Sequence, residues 1–487
     1  MDSFLLVGAI AAGVVATVVA FRNWKIPVWG LLVYLPFAGL PTILFYPAPP
    51  VTRILKDIIF LAPAYVAFLA WYLRQRRPLR LPQPIPALML VFAAIVVGQS
   101  FNPAVPDALV ALVGLKTWLL YLPLFILAYH FVEDRWQATK FFERLLVIAL
   151  VPIALGVVQA CLISLGQPDL AYGPYGEAAG DVTHGFSRFE IGQGNVYRVA
   201  STFTFVSQYY NFVLATLCAG CALWLARAGR GGAGRWWMPF VVALVVVAGF
   251  LTGSRGAFVT IPLFFAVVVV VGGYWKWLGQ SPVVLIGSLV FAVSLFQTTL
   301  RDLFGVVSEL GFSYLTDVQL NEFRQALTAT WLGFGTGTDT NPARFALTDE
   351  SRLFLENYYA KTVVELGLLG LVALLVLFAA ILLQGRASLH RTKDPVLRAS
   401  AVAILSFLMV SMFNGWKAAY LDIDPLNVYF WFYAGVLVRL PTLTTPLAED
   451  ETRMRAQAHS TQLIRILPGR GRVLGRRVRS LTRGALQ

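Results

Sequence analysis

Long apolar runs separated by short polar breaks dominate the chain. Their spacing predicts spanning helices near 3–21, 26–46, 55–73, 84–101, 107–131, 145–166, 205–226, 236–252, 256–277, 281–297, 360–384, 396–414 and 425–439. Runs of about 20 apolar residues are long enough to cross a bilayer as helices, which satisfy their own backbone groups there. One long polar interruption stands out, from Thr298 to Ala360. Within it, apolar residues return at helical spacing over 300–314 (Leu303, Phe304, Val307, Leu310) and 317–332 (Leu320, Phe323, Leu327, Trp331). That pattern predicts two amphipathic helices lying on the membrane surface or over a cavity. The expected fold is all-α: a polytopic transmembrane bundle of 12–13 spans with one long extracytoplasmic loop carrying amphipathic helices.

The same pattern divides the chain into N-terminal spans (1–166), central spans with an outer loop at 167–204 (167–297), the long loop (298–360), C-terminal spans (361–439) and a basic tail (440–487). At 58% hydrophobic and 13% charged residues, the 487-residue chain cannot cover a soluble surface. Its first apolar run starts at Ser3 with no basic residues before it, so a cleaved signal peptide is not expected. The net charge of +14 is placed for a membrane and not for nucleic acid. Nine arginines lie in the tail between Arg453 and Arg483, where they can also meet anionic lipid headgroups. Arg22, Lys25, Arg74, Arg76, Arg77, Arg135, Lys140, Arg144, Arg227 and Arg391 fall in loops on one side of the spans. Cations of this kind mark the cytoplasmic side. The loops at 167–204, 252–255, 298–360 and 415–424 then face outward. Cys218 and Cys221 form a C-x-x-C inside an apolar helix, which reads as packing and not as a redox or zinc pair.

Several ionisable groups sit where orientation alone does not need them. Arg255 follows Gly253 and Ser254 at the junction of two spans. It reads either as a guanidinium snorkelling to headgroups or as a planar donor fork aimed at phosphate, and the two readings stand about even. Lys116 lies inside a span, where a charge costs about 2.5–3.5 kcal/mol, so it calls for a wet cavity, an anion or a neighbouring carboxylate. Arg53, Lys56 and Asp57 precede a span and read as interfacial anchors. Arg198, close to the next span, is a ligand candidate, and Arg324 falls on the second amphipathic helix. Gly333, Gly335 and Gly337 make a flexible turn. Glu356 and Asn357 sit where the 360–384 span begins, placed either for base chemistry or for capping the helix. No phosphate-cradling G-x-x-x-x-G-K-[ST], zinc spacing or H-E-x-x-H occurs, and neither a metal nor a cofactor is expected.

Arg198 before Ser201-Thr202-Phe203, Gly253-Ser254-Arg255-Gly256-Ala257, Arg324 ahead of a Gly-x-Gly turn, Glu356-Asn357 and Glu365-Leu366-Gly367-Leu368-Leu369-Gly370 occur in this order. Together they resemble the O-antigen ligase and Wzy-type polysaccharide polymerase superfamily over roughly residues 190–385. The resemblance implies a GT-C-like membrane glycosyltransferase that needs no metal. It would take a glycan from an undecaprenyl-pyrophosphate donor on the outer face of the bacterial inner membrane and pass it to an acceptor glycan or lipid hydroxyl. A flippase and a chain-length regulator are the implied partners, and nucleic acid is not. Arg255 and Arg324 would hold the pyrophosphate, Gly335 and Gly337 would shape the loop over it, and Arg198, Lys116 and Asn357 would help bind substrate. The family's ligases typically carry His-Asn where this chain has Glu356-Asn357, so if that histidine serves as base or acceptor-binding group, a carboxylate would do so here, or the step needs little base help. That favours a polymerase, with the ligase as runner-up; a transporter for the same lipid-linked glycan and a non-catalytic assembly component are the other readings.

Overall fold

The computed structural model describes residues 2–48, 50–75, 81–176, 188–191, 194–228, 237–254, 256–274, 314–340 and 355–443. Residues Met1–Thr442 form one unit. The first helices are α1 (Asp2–Arg22), α2 (Lys25–Tyr34), α3 (Leu40–Leu44), α4 (Ala62–Gln75), α5 (Ile85–Gln99) and α6 (Ala108–Leu119). They are followed by α7 (Leu124–Phe131), α8 (Arg135–Ser164), α9 (Pro168–Tyr172), α10 (Val206–Ala228), α11 (Met238–Leu251) and α12 (Ala257–Gly272). The remainder are α13 (Gln319–Ala329), α14 (Tyr358–Arg391), α15 (Pro395–Lys417) and α16 (Leu426–Arg439). A short antiparallel hairpin, β1 (Arg188–Ile191) against β2 (Gly194–Tyr197), interrupts the helical pattern with Arg188 opposite Tyr197.

This is a multi-pass membrane protein: six helices among the described residues are long and apolar enough to cross a bilayer, and shorter apolar helices pack with them. Burial separates centre from rim. The spanning window of α10 is 100% buried and that of α15 is 83% buried, so these two helices form the core. Tyr209, Phe212, Phe407 and Tyr433 fill the space around them. By contrast, α1 presents Val7, Ile10, Val14 and Val18 outward, the surface a lipid-facing helix needs.

The expected pattern holds for most spans and fails where proline or glycine intervenes. The run at 26–46 breaks at a 3-10 turn, Leu35–Phe37, and resumes only as α3. Pro36 and Pro41 lack the N–H that a continuous helix would use there. The span expected at 281–297 and the amphipathic helix at 300–314 lie outside the described residues. The second amphipathic helix forms as α13 but stops at Ala329, because Thr330 is extended (φ −160°, ψ 142°) and Gly333, Gly335 and Gly337 all take positive φ.

Charges differ between the two ends of the bundle. At the end formed by residues 22–25, 131–135, 227 and 391–395, basic loops carry pairs such as Lys25–Glu133 (2.6 Å), Arg135–Asp394 (3.2 Å) and Arg227–Glu143 (3.3 Å). The other end gathers the starts of α10, α12, α14 and α16, the ends of α11 and α15, and α13. The candidate residues are found there.

Candidate functional site

The turn between α11 and α12 is built by Gly253, whose φ of +71° lies in the region glycine enters without strain. The Thr252 hydroxyl accepts the Ser254 N–H (3.1 Å) and donates to the Gly249 carbonyl (2.7 Å). The segment leading into α10 is tied to this turn, since the Val199 N–H donates to the Thr252 carbonyl (3.3 Å). Arg198 is thereby laid across Gly253: a Cβ added there would come 3.0 Å from Arg198 Cγ. Tyr172 donates to the Arg198 carbonyl, and Tyr175 to that of Ser201 (2.6 Å). Ser201 takes φ +52°, a conformation unusual outside glycine, held by bonds to Gln159 and Pro152. The turn meets α15 on its other side, where Lys417 approaches Gly256. Arg255 lies outside the described residues.

Arg324 and Glu356 are exposed on the cover above α14. Ala326 and Phe323 of α13 pack on Leu355, Ala360, Val363 and Val364. The Glu322 carboxylate accepts the N–H groups of Glu356 and Asn357, both at 2.9 Å. Burial pushes the Glu322 carboxyl above its ordinary value, the two N–H groups oppose that, and the Glu356 charge adds to it. Asn357 has a defined structural job. Its Oδ1 accepts the N–H groups of Tyr359 (2.9 Å) and Ala360 (3.2 Å), capping α14, and its Nδ2 donates to the Gln319 carbonyl (3.4 Å). Phe323 contacts Trp416 with ring centroids 5.6 Å apart. The last turn of α15 therefore touches both α13 and the 253–256 turn, which brings Arg198 and Arg324 to one end of the bundle.

Gly335 and Gly337 are buried, on a segment that re-enters the bundle between α5, α6 and α14. Their φ values are +102° and +96°, and a Cβ on Gly337 would come 2.1 Å from the Val110 carbonyl oxygen. The segment closes over Glu365, which is fully buried in α14. That carboxylate accepts from Trp118 Nε1 (2.7 Å), the Gly337 N–H (2.9 Å), the Asp339 N–H (3.0 Å) and the Thr340 hydroxyl (2.8 Å). Lys361 Nζ lies 3.8 Å from it, pairs with Asp422 and sits over the Trp118 ring at 4.9 Å. Burial pushes the Asp422 carboxyl up to about 6 against the pull of the Lys361 ammonium. The Gly335 and Gly337 conformations thus serve packing around a buried carboxylate. Sequence reasoning singled out neither Lys361 nor Glu365 as an ionic pair, although two opposite charges four residues apart in an apolar span were the available signal.

Lys116 is met by a carboxylate, pairing with Asp57 at 2.8 Å. Asp57 also pairs with Lys56 (2.9 Å), which reaches Asp424 (2.8 Å) and donates to the Tyr121 hydroxyl (2.6 Å). Lys56 is only 3% exposed, so the expectation that it and Asp57 are interfacial anchors is corrected: they are a buried ionic brace between the start of α4, α6 and the loop before α16. Among the described residues no group of three or more His, Cys, Asp or Glu side chains is placed to hold a metal ion. Cys218 and Cys221 are buried and free. No protein-family model matches this chain, and no curated protein matches it.

Proposed function

We propose that this protein is a membrane glycosyltransferase that moves a glycan from an undecaprenyl-pyrophosphate donor to a sugar hydroxyl on the outer face of the bacterial inner membrane. Its product in this reading is a polymerised repeat-unit polysaccharide. The observation that carries the proposal is the placement of Arg198 against the glycine turn at 253, at the end of the bundle that also presents Arg324 and Glu356. A guanidinium held at a turn suits a diphosphate, whose oxygens match its donor fork.

The chemistry follows from charge. An acceptor hydroxyl attacks the anomeric carbon, the new carbon–oxygen bond forms, and the bond to the diphosphate oxygen breaks on the opposite face, inverting the centre. The diphosphate leaves with the electron pair, and fixed cations offset the charge it gains. The Glu356 carboxylate takes the hydroxyl proton.

Transport of the same lipid-linked glycan is the second reading. It is favoured by the charges buried in or beside several spans, Lys56, Asp57, Lys361 and Glu365, with the part-exposed Lys116 paired to Asp57. Purified protein in proteoliposomes with undecaprenyl-pyrophosphate-linked repeats separates the two. Glycosyl transfer lengthens the glycan and releases undecaprenyl pyrophosphate. Translocation with no bond broken would replace transfer by transport, and neither outcome with any acceptor would remove both readings.

A further inference from the structure

The amphipathic cover helix α13 breaks its own pattern at one position. Helical spacing puts Gln319, Glu322, Phe323 and Ala326 on the face turned towards α14. Ala326 and Phe323 bury apolar surface on Leu355, Ala360, Val363 and Val364, and the Glu322 carboxylate is occupied by the N–H groups of Glu356 and Asn357. Gln319 is 0% exposed, whereas Thr316, Asp317 and Val318 just before it are all exposed. A fully buried position on such a face ordinarily holds an apolar residue, which brings no polar group to desolvate. Here it holds a primary amide, and neither Oε1 nor Nε2 has a hydrogen-bond partner among the described residues. The Gln319 backbone is tied down all the same, since its carbonyl accepts from Asn357 Nδ2 (3.4 Å). The open amide is thus held at the seam between α13 and the first turn of α14.

Its polar neighbours are treated differently. Asn357 uses both ends of its amide, on the Tyr359 and Ala360 N–H groups and on the Gln319 carbonyl, and Glu365 receives four donors. A buried amide with neither bond carries its full desolvation penalty, which a ligand bringing one donor and one acceptor would offset. The amide is neutral and offers an acceptor as well as two donors, so charge does not select its ligand. An ionised phosphate brings acceptors only and would leave Oε1 unpaired. Adjacent hydroxyls on a sugar ring bring both, one donating to Oε1 and its neighbour accepting from Nε2. Such a ring would lie one helical turn from Glu322, whose carboxylate holds the backbone of Glu356. Because the amide is covered, its entry parts α13 from the start of α14. The polar contacts that would open are those of Glu322 to the 356–357 N–H groups and of Asn357 to the Gln319 carbonyl.

We infer that Gln319 is a sugar-binding residue, its amide pairing with adjacent hydroxyls of the glycan at the seam between α13 and α14. This rests on the proposed lipid-linked glycan substrate for the identity of the ligand. The test measures binding without turnover, on the purified full chain in nanodiscs, with two ligands: undecaprenyl pyrophosphate and the same lipid carrying its oligosaccharide repeat. Gln319→Met, apolar and of similar length, is expected to weaken binding of the glycan-bearing lipid about tenfold, the loss for two neutral hydrogen bonds. Binding of bare undecaprenyl pyrophosphate should not change, and the unfolding midpoint should stay at or above that of wild type, because the variant buries no unpaired amide. If wild type binds and the variant holds the glycan-bearing lipid as tightly, or loses both ligands equally, the Gln319 inference is overturned while the donor reading stands. If wild type binds neither ligand saturably, both fall. Gln319→Leu serves as the second variant, and affinity is read in whichever of the two keeps its fold. Lost stability in both would overturn the inference as well, since an amide whose removal weakens the fold is already satisfied within the protein.

Discussion

Two polar regions share one end of the bundle and differ in what completes them. Around Glu365, four donors from α6 and the 337–340 segment converge on one buried carboxylate, with Lys361 beside it. At the 253–256 turn, Arg198, Lys417 and a helix N-terminus converge with the same sign of charge. The first region is complete in itself, as a buried charge has to be, since burying it without partners costs several kcal/mol. The second is a turn where two cationic side chains lie directly on glycines, Arg198 on Gly253 and Lys417 on Gly256. Depth within a membrane span therefore does not by itself mark a charge as a site, since the deeply placed Glu365 is met by four donors of the protein itself.

The largest expected effect tests the closed region. Glu365→Ala strips the acceptor from Trp118, Thr340 and two backbone N–H groups, and should destabilise the fold by about 3–5 kcal/mol. Denaturant unfolding in detergent reads it, and a loss below about 1 kcal/mol would break the contrast from this side. Arg324→Ala sharpens it from the other. This exposed side chain should leave the unfolding midpoint in place and, on the proposed glycosyl-transfer reading, lower turnover about 10²-fold or more, the loss for removing one fixed donor to a developing anion. A shifted midpoint with normal turnover would assign Arg324 to structure. Smallest is Asn357→Ala, which should cost about 1 kcal/mol as a lost helix cap. A raised acceptor KM at unchanged stability would instead make Asn357 a substrate ligand.

The framework was legible in the sequence to the extent that apolar run length decides it. The spans that became α10, α14 and α15 were marked by hydropathy alone, and α13 by its helical spacing. The breaks at Pro36 and Gly367 come from backbone chemistry that a hydropathy pattern averages away. At the site, Arg198 was legible as a candidate, but its meeting with Gly253 joins segments 55 residues apart and depends on how α10 and α11 pack. Lys417 was not singled out in the sequence at all, and its approach to Gly256 comes only from the packing of α15 against α12. Lys56 was misjudged for a related reason. Its carboxylate partner Asp424 lies far along the chain, so nothing local signalled burial.

The break in α14 has a mechanical consequence. Gly367 takes φ +73°, and the ladder is handed to a neighbouring segment: Phe334 donates to the Val364 carbonyl (2.7 Å), Gly335 to that of Glu365 (3.1 Å), and the Leu368 N–H reaches the Trp331 carbonyl (2.9 Å). The first turns of α14 are thus spliced to the re-entrant segment, like a lever clamped at a hinge pin. Thr336 on that segment is bound in turn to the Gln99 carbonyl (3.2 Å) and the Val96 carbonyl (2.7 Å), so the splice also fastens the start of α14 to α5.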